Sequence, residues 1–394
     1  MNQNQTWRAF TLISFALCIG TMGTALASPL YPIYQELWNL KSSDITFIFV
    51  AYMFGCLTTL LFLGRTSNSI GFTKTMQIGL AFIIVGLVLS IFANDAIFLS
   101  VGRFIIGIAS GLITTSALIG LVQSVPESHK SIAPQLCSII TAIGFGLGPF
   151  VGGFIAHFFI NPLVTPYIPI IIGSLMSLVS LFYLKTPAFD PQPFSVSPKL
   201  LQPEPQFRSQ FWIISLAAFA IFAAFSLFAS LSPSFIKEIL PYHGPLVSGS
   251  AITFILVISV IVQFFARKIV AIQSLIYGLC ISILSLVALF ICMWLKISWL
   301  FFLSDFSFGV AHGLVLLGAF GIIHNMTHQG NRAAVMSTYL FVAYLGTIIP
   351  ILAVGLLADY LGLAQAVLVF CSSIGFLFLF ILIKQLVIKN SQNY

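Results

Sequence analysis

Arg103, Asp305 and His312 are ionisable side chains set inside long apolar runs. A charge near the centre of a bilayer costs roughly 2.5–3.5 kcal/mol on insertion scales, so such residues persist where they pair, face water or carry ions. A carboxylate there can take up and release a proton as its surroundings change. An arginine keeps its charge and serves as counter-charge or anion contact. An imidazole can relay a proton or bind a ligand. The three residues fall in two copies of one stretch. Arg103-Phe104-Ile105-Ile106-Gly107-Ile108-Ala109-Ser110-Gly111-Leu112 returns as Asp305-Phe306-Ser307-Phe308-Gly309-Val310-Ala311-His312-Gly313-Leu314 at an offset of 202. That offset is about half the chain, so two related halves are expected, and the repeat breaks at a charge.

The elements that must hold these groups are membrane helices. Hydrophobic residues make up 59% of the 394 and charged residues 6%, too few charges for a soluble surface. Apolar runs of about 20 residues, each long enough to span a bilayer as a helix, occupy about 9–35, 45–66, 74–93, 97–123, 132–159, 167–185, 210–236, 245–265, 272–294, 297–322, 334–357 and 363–384. The expected fold is an all-α membrane protein with twelve transmembrane helices in two pseudo-symmetric six-helix bundles, 1–185 and 210–394. The Pro-rich, polar stretch 186–209 is the linker between them.

The net charge of +7 follows topology and is not a nucleic-acid footprint. With both termini in the cytosol, Arg8, Arg65, Lys74, Lys130, Lys185, Lys199, Arg208, Arg267, Lys268, Arg332, Lys384 and Lys389 fall inside. Only Lys41, Lys237 and Lys296 fall outside. The acids Glu36, Asp44, Asp95, Glu238 and Asp359 sit mostly on the opposite side. A cytoplasmic membrane is the expected setting. Arg8, the first apolar run and Ala25-Leu26-Ala27 imitate a cleaved signal peptide. The length of the run and the two-fold repeat favour a retained helix, since Ser28-Pro29 has a counterpart in Ser232-Pro233. The six cysteines lie in the spans without metal-ligand spacing and are expected to be free packing residues. No cofactor or metal is implied. No GxxxxGK[ST] loop is present, which argues against an ATP-driven motor on the chain.

Three motifs give the chain a resemblance. Gly64-Arg65-Thr66-Ser67-Asn68-Ser69-Ile70-Gly71-Phe72-Thr73-Lys74 resembles the loop motif GxxxD(R/K)xGx(R/K)(R/K) of the major facilitator superfamily, with Asn68 in place of the acid. Arg103 with Gly107 and Gly111 resembles its RxxxG motif. Gly144-Phe145-Gly146-Leu147-Gly148-Pro149-Phe150-Val151-Gly152-Gly153 contains GxxxGPxxGG, which in that superfamily accompanies exporters that exchange substrate for protons. Physically, Gly144, Gly148 and Gly152 make a bare helix face that a neighbouring backbone can approach closely, and Pro149 bends the helix beside it. That face suits a moving interface or tight static packing.

The resemblance implies that spans one, four, seven and ten line a central cavity. Asp305 is then the expected proton carrier, Arg103 its counter-charge or a substrate contact, and His312 a relay or ligand group. Thr114, Phe219, Phe222 and Phe225 are the expected cavity-lining contacts for a lipophilic or aromatic substrate. The expected function is export of a small amphiphilic compound, drug-like or a secreted metabolite, in exchange for protons. The expected partners are substrate, protons and lipid, and the expected state is a monomer. Two alternatives stand beside it: a symporter or facilitator importing a small metabolite, and a non-transporting receptor on a transporter scaffold. No nucleophile–base constellation points to an enzyme.

Overall fold

A computed structural model describes residues 3–125, 133–184, 190–198, 200–328 and 331–391. Lys130, Lys185 and Lys199, assigned above to the inner side, lie outside the described residues, as do the side chains of Glu238 and Lys389. The described chain is helical and contains no strand. Each of the twelve apolar runs is helical over most of its described length. Among the described residues eleven segments are long and apolar enough to cross a bilayer, and a shorter apolar helix, Tyr167–Phe182, has 16 residues. At 1.5 Å per residue that helix measures about 24 Å.

The first half opens with α1 (Gln3–Ala25). The run expected to continue unbroken to residue 35 does not. One tight turn at Ser28–Leu30 separates α1 from α2 (Tyr31–Trp38), because Pro29 and Pro32 cannot donate backbone hydrogen bonds. After α3 (Ser42–Thr58) the helix widens into a single π turn at Thr59–Leu63. Then come α4 (Thr66–Ile70), α5 (Phe72–Ile91), α6 (Ala96–Ser124), α7 (Ala133–Phe158) and α8 (Tyr167–Phe182). Asp95 starts α6 by accepting the Phe98 N–H at 2.7 Å, an N-cap that satisfies one of the four free donors of the first turn.

The second half repeats this plan. The helix α9 (Arg208–Ser230) breaks at Leu231 before α10 (Ser232–Ile239), which carries Pro233 in its first turn. It is followed by α11 (Pro245–Phe265), α12 (Ala271–Leu295), α13 (Ser298–Asn325), α14 (Arg332–Leu361) and α15 (Leu363–Ser391).

The chain divides into two compact units. One holds Met1–Leu40, Phe47–Pro198 and Gly244–Thr253; the other holds Lys41–Thr46, Lys199–His243 and Phe254–Tyr394. The packing inside each follows the sequence repeat. In the first, α5 lies on α6 and α8, and α1 touches α6, α7 and α8. In the second, α12 lies on α13 and α15, and α9 touches α13, α14 and α15. Lipid is as apolar as leucine, so close packing and buried polar contacts hold these helices together more than water exclusion does. The crossing of α3 and α6 shows this. A Cβ at Gly107 would overlap the Tyr52 carbonyl oxygen and stand 2.9 Å from the Gly55 Cα, so the two helices touch backbone to backbone.

Candidate functional site

Arg103 is 1% exposed in the middle of the first unit. Its Nη1 donates to the Thr24 carbonyl at 2.7 Å, and its guanidinium lies over the Tyr52 ring at 5.1 Å. Thr24 sits in the last turn of α1, where carbonyls run out of helical donors and the helix dipole is negative. A buried cation is therefore stabilised there by a hydrogen bond, a dipole and an aromatic face. One donor, Nε, has no partner. Nearby in the same unit the Tyr34 and Tyr167 hydroxyls share a hydrogen bond of 2.9 Å, while the buried Tyr31 hydroxyl has none. Arg103→Ala leaves the Thr24 carbonyl unpaired and is expected to cost about 1–3 kcal/mol. A thermal melt in detergent checks this, and an unchanged melting temperature would contradict the capping role.

The matching place in the second unit is built differently. Ser226 lies 202 residues after Thr24, and its carbonyl accepts the Ser230 hydroxyl at 2.7 Å. That carbonyl needs no cation. Asp305, at the position that matches Arg103, is 2% exposed, and its Oδ1 has no hydrogen-bond partner. Two turns along α13, His312 is 7% exposed and shares a 2.9 Å hydrogen bond between its Nδ1 and the Ser259 hydroxyl. Gln263 Nε2 donates to the same hydroxyl at 3.2 Å. The arrangement that satisfies all three groups has Ser259 donating to Nδ1, which leaves the ring hydrogen on Nε2. Phe225 and Phe308 flank the imidazole at 5.5 and 6.1 Å, and Phe308 stacks on Phe228 at 4.8 Å.

The expected substrate contacts fall as follows. Phe219, Phe222 and Phe225 are half-buried on α9, whereas Phe228 is fully buried. Phe222 approaches Tyr344 at 6.3 Å. Thr114 is half-buried on α6 and bonds its own helix at Ser110 O, 2.8 Å away.

The conformational motifs divide by face. A Cβ at Gly148 would stand 2.6 Å from Met22 O, and one at Gly152 2.5 Å from Leu26 O; at Gly144 it would overlap Thr21. The bare stripe thus lies on α1. The next face carries Gly146, Pro149 and Gly153 and meets the opening of α11, where Thr253 donates to Gly146 O at 2.6 Å. Gly249 there leaves no room for a Cβ beside Pro149 O, nor Gly153 beside Pro245 O. Sequence reading missed the partner set in the second unit. Gly346 packs on Phe219 and Pro350 lies inside α14, at offsets of 202 and 201 from Gly144 and Pro149, so the repeat itself could have found them. In the loop motif, Gly71 has φ of 86°, a conformation glycine adopts without strain, while Gly64 is helical and has room for a Cβ. Asn68 and Lys74 are exposed.

A family model described as Major Facilitator Superfamily matches residues 13–350. This chain belongs to the major facilitator superfamily. It is an integral multi-pass membrane protein. Among its superfamily relatives is the riboflavin transporter RibZ of Clostridioides difficile, 22% identical over 188 residues, which cover 48% of this chain and 41% of the relative. Another is multidrug resistance protein 2 of Bacillus subtilis, 25% identical over 189 residues, covering 46% and 45%. The chain thus spans under half the length of these relatives. Among solved structures, a bacterial homologue of the human lysosomal transporter Spinster, in an inward-facing and occupied conformation, aligns with a TM-score of 0.73. It covers 97% of both chains at 14% identity, a likeness of fold.

Proposed function

We propose that this transporter exports a small amphiphilic compound in exchange for protons, by alternating access, as a monomer in the cytoplasmic membrane with both termini in the cytosol. The observation that carries the proposal is Asp305. It is a buried carboxylate with an unpartnered oxygen, and the backbone duty performed by Arg103 in the first unit is performed in the second by Ser230. A group so costly to bury and so little used in holding the fold is suited to carrying a proton. His312, two turns along the same helix and held by Ser259, is the relay or ligand group. Arg103 fixes the end of α1 and keeps Nε for a counter-charge or a polar substrate atom. Phe219, Phe222 and Phe225, with Thr114, supply the half-buried surfaces that an aromatic or lipophilic substrate would meet.

Likeness to multidrug resistance protein 2 supports efflux. Likeness to the riboflavin transporter supports the second reading, a symporter or facilitator that takes up a metabolite. Proton flux in inverted vesicles separates them. Export predicts that adding substrate to energised vesicles releases part of the stored proton gradient as substrate accumulates inside. Substrate that crosses these vesicles with no effect on the gradient would leave a facilitator.

The topology is tested independently. Reporter fusions at Tyr394 and within the 190–198 segment are both expected to report the cytosol, because twelve of the fifteen loop and terminal cations fall on that side. An external signal at either site would overturn the assigned orientation.

A further inference from the structure

The segment that follows the first six helices is fastened to the loop between α3 and α5. The Gln192 N–H donates to Asn68 O at 2.9 Å, and Arg65 Nη2 donates to Ser197 O. Beside the first of these attachments lies a cavity of about 220 Å³ whose polar lining includes Asn68, Thr73, Lys74, Gln123, Asp190 and Gln192. The loop side of this cavity is short of negative charge. Residues 64–74 contain Arg65 and Lys74 and no acid. The helix α5 starts at Gly71 with no side-chain cap, so its first-turn N–H groups keep the positive end of the helix dipole uncompensated, and Lys74 adds a charge of the same sign. Thr73 Oγ1 on that turn is buried without a partner. Of the residues lining the cavity, Asp190 is the one carboxylate.

We propose that residues 190–198 form a charge-held strap, in which Asp190 supplies to the α4–α5 loop the acid that Asn68 does not. Docking rests on three contacts of different kinds: the backbone bond at Asn68, the arginine bond at Ser197, and the attraction of Asp190 for Lys74 and the α5 N-terminus. The first two are sequence-tolerant on the strap side, because both use its backbone. The third is specific to residue 190 and sensitive to salt. Lifting the strap would free the α4–α5 loop, so strap and loop move as one switch rather than as a passive tether and a separate hinge.

A spin label at Ser195→Cys, with the exposed Cys280 replaced by serine, reports whether the strap is docked in purified protein in lipid nanodiscs. The expected spectrum is immobilised at low salt. It should loosen several-fold in mobility at about 1 M KCl, where the screening length falls to about 3 Å. Asp190→Asn and Lys74→Glu should each loosen it at low salt, and the double exchange Asp190→Lys with Lys74→Glu should restore it. A spectrum unchanged by Asp190→Asn, or single variants that loosen without rescue by the exchange, would overturn the proposal. Should the variants fail to fold, the salt titration of the labelled parent decides alone: a mobility independent of salt removes the charge from the account.

Discussion

Gly148→Val is expected to insert at near-normal levels and to lose transport by about tenfold or more, a loss of the size that overpacking costs of about 1–3 kcal/mol can produce. The Cβ alone would stand 2.6 Å from the Met22 carbonyl and 3.2 Å from the Ala25 Cβ, and valine adds two further methyl groups. The carbonyl belongs to helix backbone and cannot rotate away. The helix α7 must therefore move off α1, which also loosens the contacts of Gly144 with Thr21 and of Gly152 with Leu26. On another face α7 is held by Thr253 and Gly249, so a shift off α1 also strains that second contact. Gly148→Ala brings the same first clash without the branched methyls and should fall between wild type and valine. Membrane abundance by immunoblot beside substrate flux separates misfolding from a stiffened helix. Wild-type flux in a normally inserted Gly148→Val protein would make this face ordinary packing with slack in it.

Much of this was legible in the sequence because the chain is written twice. The offset of 202 located the equivalent helices, and the principal helix contacts of one unit recur in the other. Ser28-Pro29 has its counterpart in Ser232-Pro233, two residues beyond that offset, and both mark helix breaks. The break itself was missed in the first span. Apolar composition there continues straight through it, and hydropathy says nothing about missing N–H donors. The duty of Arg103 was also hidden, because its partner is a backbone carbonyl that no side chain announces. So was the fastening of Ser197 to Arg65, which joins residues 132 apart through main-chain atoms. The Ser259–Gln263 pair beside His312 looked like helix filler among apolar residues. Tertiary proximity alone gives it meaning.

Asp305→Asn is expected to fold, to bind substrate and to lose substrate-driven proton movement. Asparagine has almost the same volume, and no described hydrogen bond of Asp305 has to be replaced at Oδ1. It also removes the cost of burying an ionised group, so stability should hold or rise. What it cannot do is bind and release a proton. Binding can be followed by thermal shift, since a ligand of the native state raises the melting temperature in the variant as in the parent. His312→Gln serves as a comparison. It retains a polar group toward Ser259 and should weaken transport without uncoupling it, if the imidazole relays or binds and the carboxylate carries.

The most direct test of proton-coupled transport through Asp305 is substrate-induced proton flux in proteoliposomes, with wild type and Asp305→Asn reconstituted side by side at equal protein content. The account predicts a pH change on adding substrate to wild type and none in the variant, while the variant still binds. Equal proton movement in both would contradict it and place the coupling group elsewhere in the chain.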